Sequence, residues 1–399
     1  MMGGAQAFMG AASTDGSVRR FDFPQLSRVV YGPGSIRELR AEVERMGCRR
    51  VFLVTSKSAA AQQELMAGIR TSLGELLVGE FHESVAHVPL ATVEAASLSA
   101  REKRADLILS LGGGSPVDCG KAVAVCAPSS EPADVTLSRF AIETARPGQT
   151  GPRNAPLPQI TVTTTLSAAE FTPTFTVTDP LSRIKVMYYD QRFTPSTVVL
   201  DAAVTTATPG WLWAASGVRA IDHCVEWYLS AASTPFTDAL AVAALKMLWR
   251  SLPAALADPG DLVARQECQL AAWMSVYGSS NVLGGLSHAI GHQLGSHTGM
   301  MHGHTSCVIL PHVIEFNGVV TPQRVADLAR AVGLPDDDLA SGLRALLDQL
   351  GMPRTIAEAT DREVDLDAIA QATMTEVAIV NNPREVRVED VRKILELAR

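Results

Sequence analysis

Leu107-Ile108-Leu109-Ser110-Leu111 runs directly into Gly112-Gly113-Gly114-Ser115-Pro116-Val117-Asp118-Cys119-Gly120-Lys121. The first five residues form a continuous apolar run of strand length, the mark of a strand buried on both faces. Three glycines at its end let the backbone approach an anion closely. The helix that follows, with Pro116 at a favoured early position, points its free N–H groups at that anion. A lone glycine-rich turn is often only structural. A strand, then GGGS, then Asp118 and Lys121 at helical spacing, is a far more specific signal for phosphate.

Outward from this stretch, short β-rich runs alternate with helical ones. Arg28-Val29-Val30-Tyr31-Gly32, Val51–Thr55, 158–163 and 197–201 read as further strands, and 59–79 and 90–104 as helices. Such alternation predicts an α/β domain with a mostly parallel sheet and helices on both faces. After about residue 200 the β-rich runs largely vanish. Ala/Leu-rich stretches at 238–251, 264–277, 322–332, 339–350, 364–376 and 388–397 take over, with Pro or Gly at the joins. The expected organisation is a flexible leader at 1–20, an α/β domain at 21–198 and an all-helical domain at 199–399. The active site is expected in the cleft between the two domains. The Pro/Arg/Gly-rich stretch 145–156 reads as a surface excursion.

At 399 residues the chain is too long for one ordinary core. With 47% hydrophobic and 19% charged residues it is a well-packed globular chain. A net charge of -8 argues against nucleic acid as a partner. No apolar run reads as long enough to span a bilayer, and the Gly/Ala/Ser-rich start lacks the positive region of a signal peptide. Cys48, Cys119, Cys126, Cys224, Cys268 and Cys307 show no CxxC pairing, the pattern of reduced, buried thiols in a cytoplasmic protein.

Of nine histidines, five lie between 288 and 304. His288 and His292 would share one face of a helix, and His302 follows within a short loop's reach. Imidazole suits both metal ligation and proton transfer near neutral pH, so the cluster marks a reaction centre. A satisfied structural role is the alternative for each histidine, and it is the favoured one for His297, His304 and His312. His82 and His87 fall in the first domain, with His87 at the edge of the cleft.

GGGSPVDCGK resembles the phosphate-binding motif GGGSxxDxxK of the iron-containing alcohol dehydrogenase superfamily, which includes the maleylacetate reductases. The resemblance continues in order. Val29-Val30-Tyr31-Gly32-Pro33-Gly34 is similar to the family's opening strand and turn, and 163–172 to its nucleotide-contacting TT(x)nSE(x)T segment. Lys185 stands where the family has a cofactor-contacting lysine, and 285–295 and 302–312 resemble its histidine motifs. About residues 24 to 395 are covered. The resemblance implies a Rossmann-like, dinucleotide-binding first domain, a helical catalytic second domain, and hydride transfer between NAD(P)H and a carbonyl or alcohol. It assigns Gly112, Gly113, Gly114, Ser115, Asp118, Thr163, Thr164, Ser167 and Lys185 to the cofactor, and His292 to a proton relay.

Two positions depart from that pattern or choose within it. Many NAD-using relatives carry an acid after the second strand, where this chain has Ser56-Lys57. Without that carboxylate nothing there repels a 2′-phosphate, and Lys57 could attract one, which tilts NAD(P)H toward NADPH; a solvated Lys57 is the plain alternative. Metal-dependent members use Asp-x-x-x-His plus two later histidines. His223, His288 and His302 align with the three histidines, but the aspartate position is Arg219. A guanidinium has no lone pair to give and repels a divalent ion. Either three imidazoles still hold Fe²⁺ or Zn²⁺ with the fourth ligand missing, or the centre works without metal, Arg219, His223 and His302 joining His292 in catalysis. The second is favoured, as in maleylacetate reductases, which also lack the aspartate. A buried Arg219 would need an anionic partner, either an oxo acid substrate or an internal carboxylate such as Asp222 or Glu226. The expected protein is thus a cytoplasmic, maleylacetate reductase-like oxidoreductase with a small-molecule substrate, compatible with a homodimer. A metal-dependent alcohol dehydrogenase, a lyase resembling dehydroquinate synthase, and a nucleotide sensor without turnover are the alternatives.

Overall fold

The computed structural model describes residues 20–142, 155–179 and 185–399. The leader up to residue 19 and most of the expected 145–156 excursion lie outside them. Among the described residues there are eight strands: β1 (Arg28–Tyr31), β2 (Val51–Thr55), β3 (Leu77–Phe81), β4 (Leu107–Gly112), β5 (Gln159–Thr163), β6 (Thr174–Thr178), β7 (Lys185–Tyr189) and β8 (Thr197–Leu200). Six form one sheet in the order β1-β8-β5-β4-β2-β3, and every pair in it is parallel. The central strands β2, β4 and β5 are buried along their whole length, the polar Ser110, Gln159, Thr161 and Thr163 included. The helix Gly114–Cys126 lies tight on the sheet: a Cβ on Gly120 would sit 1.9 Å from Ser110 Oγ of β4.

Three local expectations fail. The segment 59–79 is not one helix but Lys57–Ala60, Gln63–Leu73 and a 3-10 turn Gly74–Leu76, followed by β3. Gly74 takes φ +53°, which ends the helix, while Leu76 and Leu77 continue the apolar spacing and hide the switch. The antiparallel pair β6–β7 went unread, although Thr174-Phe175-Thr176-Val177-Thr178 alternates with its apolar residues buried. The expected start of the first domain is also displaced: Phe21 and Phe23 pack their rings on Phe236, at 5.3 and 6.2 Å, inside the helical unit.

The chain divides into two compact units, Pro24–Thr208 and Pro209–Arg399, with 20–23 joining the second. The division falls between Thr208 and Pro209, later than the boundary expected after residue 198. β8 is followed by the turn Ala202–Thr205, and Thr208 Oγ1 donates to Thr164 O at 2.8 Å, so these residues belong to the sheet unit. Every described element after β8 is helical. One helix, Pro235–Ala257, is long and apolar enough by length and composition to cross a membrane, contrary to the sequence reading. It starts with a Thr234–Thr237 capping box, and its Asp238 accepts from Arg324 Nη2 at 2.8 Å.

All six cysteines are buried free thiols. Burial pushes their pKa up, to about 11 for Cys48 and about 12 for Cys119, Cys126 and Cys268. Below those values the neutral thiol dominates, so a thiol reagent at pH 8 labels none in the native protein and all six after denaturation. A native thiol that reacts as fast as free cysteine would contradict this placement.

Candidate functional site

In the sheet unit, the end of β4 is built to admit a neighbour. Gly112 has φ +139°, and a Cβ there would meet Pro116 Cγ at 2.8 Å. A Cβ on Gly113 would lie 3.0 Å from Thr165 Cγ2 and Oγ1, and one on Gly114 3.3 Å from Ser167 Oγ. The glycines therefore let the segment after β5 close on the loop, and Thr164 N donates to Gly112 O at 3.0 Å. This brings Thr163, Thr164 and Ser167 to Gly112, Gly113, Gly114 and Ser115. Beside them the helix Gly114–Cys126 begins, with unfilled backbone N–H groups in its first turn. A glycine turn at a helix N-terminus, with no side chain of its own until Ser115, suits the pyrophosphate of a dinucleotide.

Behind the cradle, Asp118 Oδ2 accepts from Thr176 N at 3.1 Å and from Thr176 Oγ1 at 3.3 Å, tying the helix to β6. Lys121 is buried and donates to the carbonyls of Ala169, Thr172 and Thr174 at 2.6, 2.8 and 2.8 Å. Burial pushes its pKa down to about 8, against the pull of Asp118 and Glu170. Burial likewise lowers Lys185, which opens β7, and Asp118 opposes it. Ser56 caps the helix Lys57–Ala60 by accepting from Ala59 N at 3.3 Å. His87 is half-buried with φ +66°, and its carbonyl accepts from Thr178 Oγ1 at 2.6 Å.

In the helical unit, Gly210–Leu229 carries Arg219, Asp222, His223 and Glu226 on one face. The buried Glu226 carboxylate accepts from the N–H groups of Gly285, Ser287 and His288 at 3.1, 2.6 and 3.1 Å. It thereby caps the helix Leu286–Thr298, and it also binds His288 Nδ1. Only glycine fits at 285, where a Cβ would meet Glu226 Oε1 at 2.5 Å. His288 Nε2 is buried without a hydrogen-bond partner among the described residues. Burial, reinforced by the Arg219 charge, holds His288 and His223 well below the ordinary histidine pKa, so both are neutral at pH 7.

The rings form a chain: His223 to His288 at 5.1 Å, His288 to His292 at 6.4 Å, and His292 to His302 at 5.4 Å. His302 opens the helix His302–Gly318. His292 Nδ1 lies 3.2 Å from Glu376 Oε2, and Gln293 donates to the other oxygen of that carboxylate at 2.6 Å. Burial pushes the Glu376 pKa up, but the bonds from His292 and Gln293 outweigh it, leaving it below the usual glutamate value. Outside this chain, His297 Nδ1 bonds Gln293 O at 2.8 Å, His304 lies beside Trp211 at 6.2 Å, and His312 faces Glu315 at 3.6 Å.

Arg219 has its partner inside the protein. Its Nη1 donates to Asp222 Oδ2 and to Ser306 Oγ, each at 3.2 Å. Of the two anionic partners expected for it, the internal carboxylate is present: Asp222 faces its charge, and Ser287 and Ser306 also donate to the same Asp222 oxygen at 3.1 and 2.5 Å. Among the described residues Nε and Nη2 have no hydrogen-bond partner, and the side chain retains 12% exposure.

A divalent metal does not fit this set well. Asp222, Glu226 and His288 each bring a ligand atom within 4.8 Å of the others. Both Glu226 oxygens, however, are spent on N–H donors and Asp222 Oδ2 on Arg219 and two hydroxyls, which leaves Asp222 Oδ1 and His288 Nε2 as the open donor atoms of the three among the described residues. Among the imidazoles, the place of a fourth, anionic ligand is taken by a cation. Glu376 was not legible in the sequence, lying 84 residues from His292. Glu226 was named only as a carboxylate within reach of Arg219; its position one helical turn beyond His223 was the available signal for more.

Two family models match the chain: "Iron-containing alcohol dehydrogenase" over residues 26–202 and "Fe-containing alcohol dehydrogenase family, C-terminal" over 213–399. The chain is 33% identical to a maleylacetate reductase of Sphingobium indicum, covering 93% of this chain and 95% of that protein. It is 29% identical to a lactaldehyde reductase of Escherichia coli, over 92% and 97% of the two chains. Among solved structures, a 1,3-propanediol oxidoreductase superposes with a TM-score of 0.87 at 27% identity, covering 95% of this chain and 100% of that one. The maleylacetate reductase of Agrobacterium tumefaciens gives 0.80 at 26% identity, over 96% and 98%.

Proposed function

Because this chain belongs to the iron-containing alcohol dehydrogenase family, whose members use NAD(P)H and a divalent metal to interconvert carbonyls and alcohols, we propose that it is a metal-independent reductase of an oxo acid. The NAD(P)H-dependent oxidoreductase activity follows from the family. The substrate class and the lack of a metal requirement are the inference. The observation that carries it is Arg219, a cation fixed by Asp222 and Ser306 among the imidazoles where metal-dependent relatives need an acid. Its Nε–Nη2 edge is a planar pair of donors suited to a carboxylate or to the carbonyl being reduced. The resemblance to maleylacetate reductases supports the same substrate class.

The cofactor supplies the hydride, with Gly112–Gly114, Ser115, Thr163, Thr164, Ser167 and Lys185 as the residues that would hold it. Reduction also needs a proton on oxygen. His292 would relay it as the imidazolium, giving up the Nε2 proton while the Glu376 carboxylate, which can only accept, keeps the other proton on Nδ1; the bare Nε2 then takes its next proton from solvent. We place the enzyme in the cytoplasm, acting on a small molecule and not on nucleic acid or membrane, and compatible with a homodimer.

Steady-state NAD(P)H consumption with 2-oxo and 4-oxo acids against neutral aldehydes, each with and without chelator, tests this. The expected result is a preference for the oxo acids that chelator leaves unchanged. Chelator inhibition with a preference for neutral aldehydes would reverse both parts, and no net consumption of cofactor would favour a lyase.

A further inference from the structure

The C-terminal ends of β3, β2 and β4 lie side by side, and each carries a different chemistry. β4 ends in the glycine cradle, β2 in Ser56-Lys57, and β3 in His82-Glu83. Hydrogen bonds fix the row: Thr55 Oγ1 donates to Leu111 O at 2.8 Å, and Ser84 N donates to Thr55 O at 3.1 Å. The second of these pins Glu83 beside the end of β2. Glu83 Oε1 then lies 3.8 Å from Lys57 Nζ, with the two side chains 68% and 77% exposed. An ion pair so open contributes little stability, and both groups remain accessible to a ligand. The neighbouring acid is differently engaged: Glu80 is held by both Arg70 Nε and Nη2 at 2.7 Å and by His82 Nε2 at 2.7 Å.

A dinucleotide whose pyrophosphate sits at the end of β4 extends its adenosine ribose toward the end of the adjacent strand, here β2. An acid at the end of β2 itself would bind the ribose hydroxyls, and this chain has none there. We propose that Glu83, reaching across from β3, is the missing acid and makes the enzyme prefer NADH over NADPH. Its carboxylate accepts from the ribose 2′-hydroxyl, neutralises Lys57, and repels the two negative charges of a 2′-phosphate. The tilt toward NADPH suggested by Lys57 alone is thereby reversed. In the sequence the two residues are far apart, and only the parallel pairing of β2 with β3 brings them together.

This rests on the dinucleotide assignment, and direct binding separates the two. Fluorescence titration of the wild-type enzyme with NADH and with NADPH is expected to give tighter NADH binding by about tenfold. In Glu83→Gln, NADPH binding strengthens by about tenfold as Lys57 is released, while NADH weakens slightly. Adding Lys57→Ala to that variant removes the gain. Failure of both nucleotides to bind would sink the dinucleotide assignment itself. A wild type that favours NADPH, or a ratio unchanged in Glu83→Gln, would overturn the role of Glu83 alone.

Discussion

Gly113→Val abolishes NAD(P)H binding in a protein that still folds. Even one carbon on Gly113 would sit 3.0 Å from Thr165 Cγ2 and Oγ1, tighter than ordinary contact, and valine adds two methyl groups beyond it. The segment after β5 must then move off the loop, and the closure seen in the Thr164 N to Gly112 O bond of 3.0 Å opens. The cradle loses both its shape and its lining in one substitution, so affinity should fall by about a hundredfold or more. The core of the unit lies behind the loop, in β2, β4 and β5. The circular dichroism spectrum and the cooperative melt should therefore persist. Titration of nucleotide fluorescence alongside those controls is the measurement. Wild-type affinity in the folded variant would show that these glycines serve packing alone.

His292→Ala lowers kcat by about a hundredfold or more with little change in cofactor affinity, the usual scale for losing a positioned acid. The cofactor residues named above all lie in the sheet unit, and His292 in the helical one, so the two effects are separable. Glu376→Gln should cost less, about tenfold, because the imidazole remains and only the fixing of its tautomer is weakened. With the carboxylate gone, the loss should fall on kcat and leave cofactor affinity in place. A histidine that merely packs would change melting temperature and leave kcat unmoved. Retained turnover in His292→Ala across the pH range would remove it from proton transfer.

Much of the architecture was legible because its signals are local. Leu107–Gly112 and Val51–Thr55 are near-continuous apolar runs, the usual writing of a strand buried on both faces. His288 and His292 announce a shared helix face by spacing alone, and both stand on Leu286–Thr298. β3 escaped because an edge strand buries less and its Leu76-Leu77 start continues the preceding helix's apolar spacing. The pair β6–β7 escaped because β6 is threonine-rich and both strands lie outside the main sheet.

Read alone, the amino-acid order discloses the two-part plan, the glycine turn after β4, the histidine cluster and Arg219 in place of an expected acid. Each is a statement about residue type at fixed spacing, which the covalent chain already carries. The tertiary structure alone decided what each charge faces. It gave Arg219 to Asp222 and Ser306, His292 to Glu376, His288 to Glu226, and Lys57 to Glu83. Apart from Asp222 and Arg219, neighbours on one helix, these partners come from different elements. The physical reason is range: periodicity reports which face of an element is buried. Electrostatic and hydrogen-bond partners act over a few ångströms in space, whatever the separation along the chain.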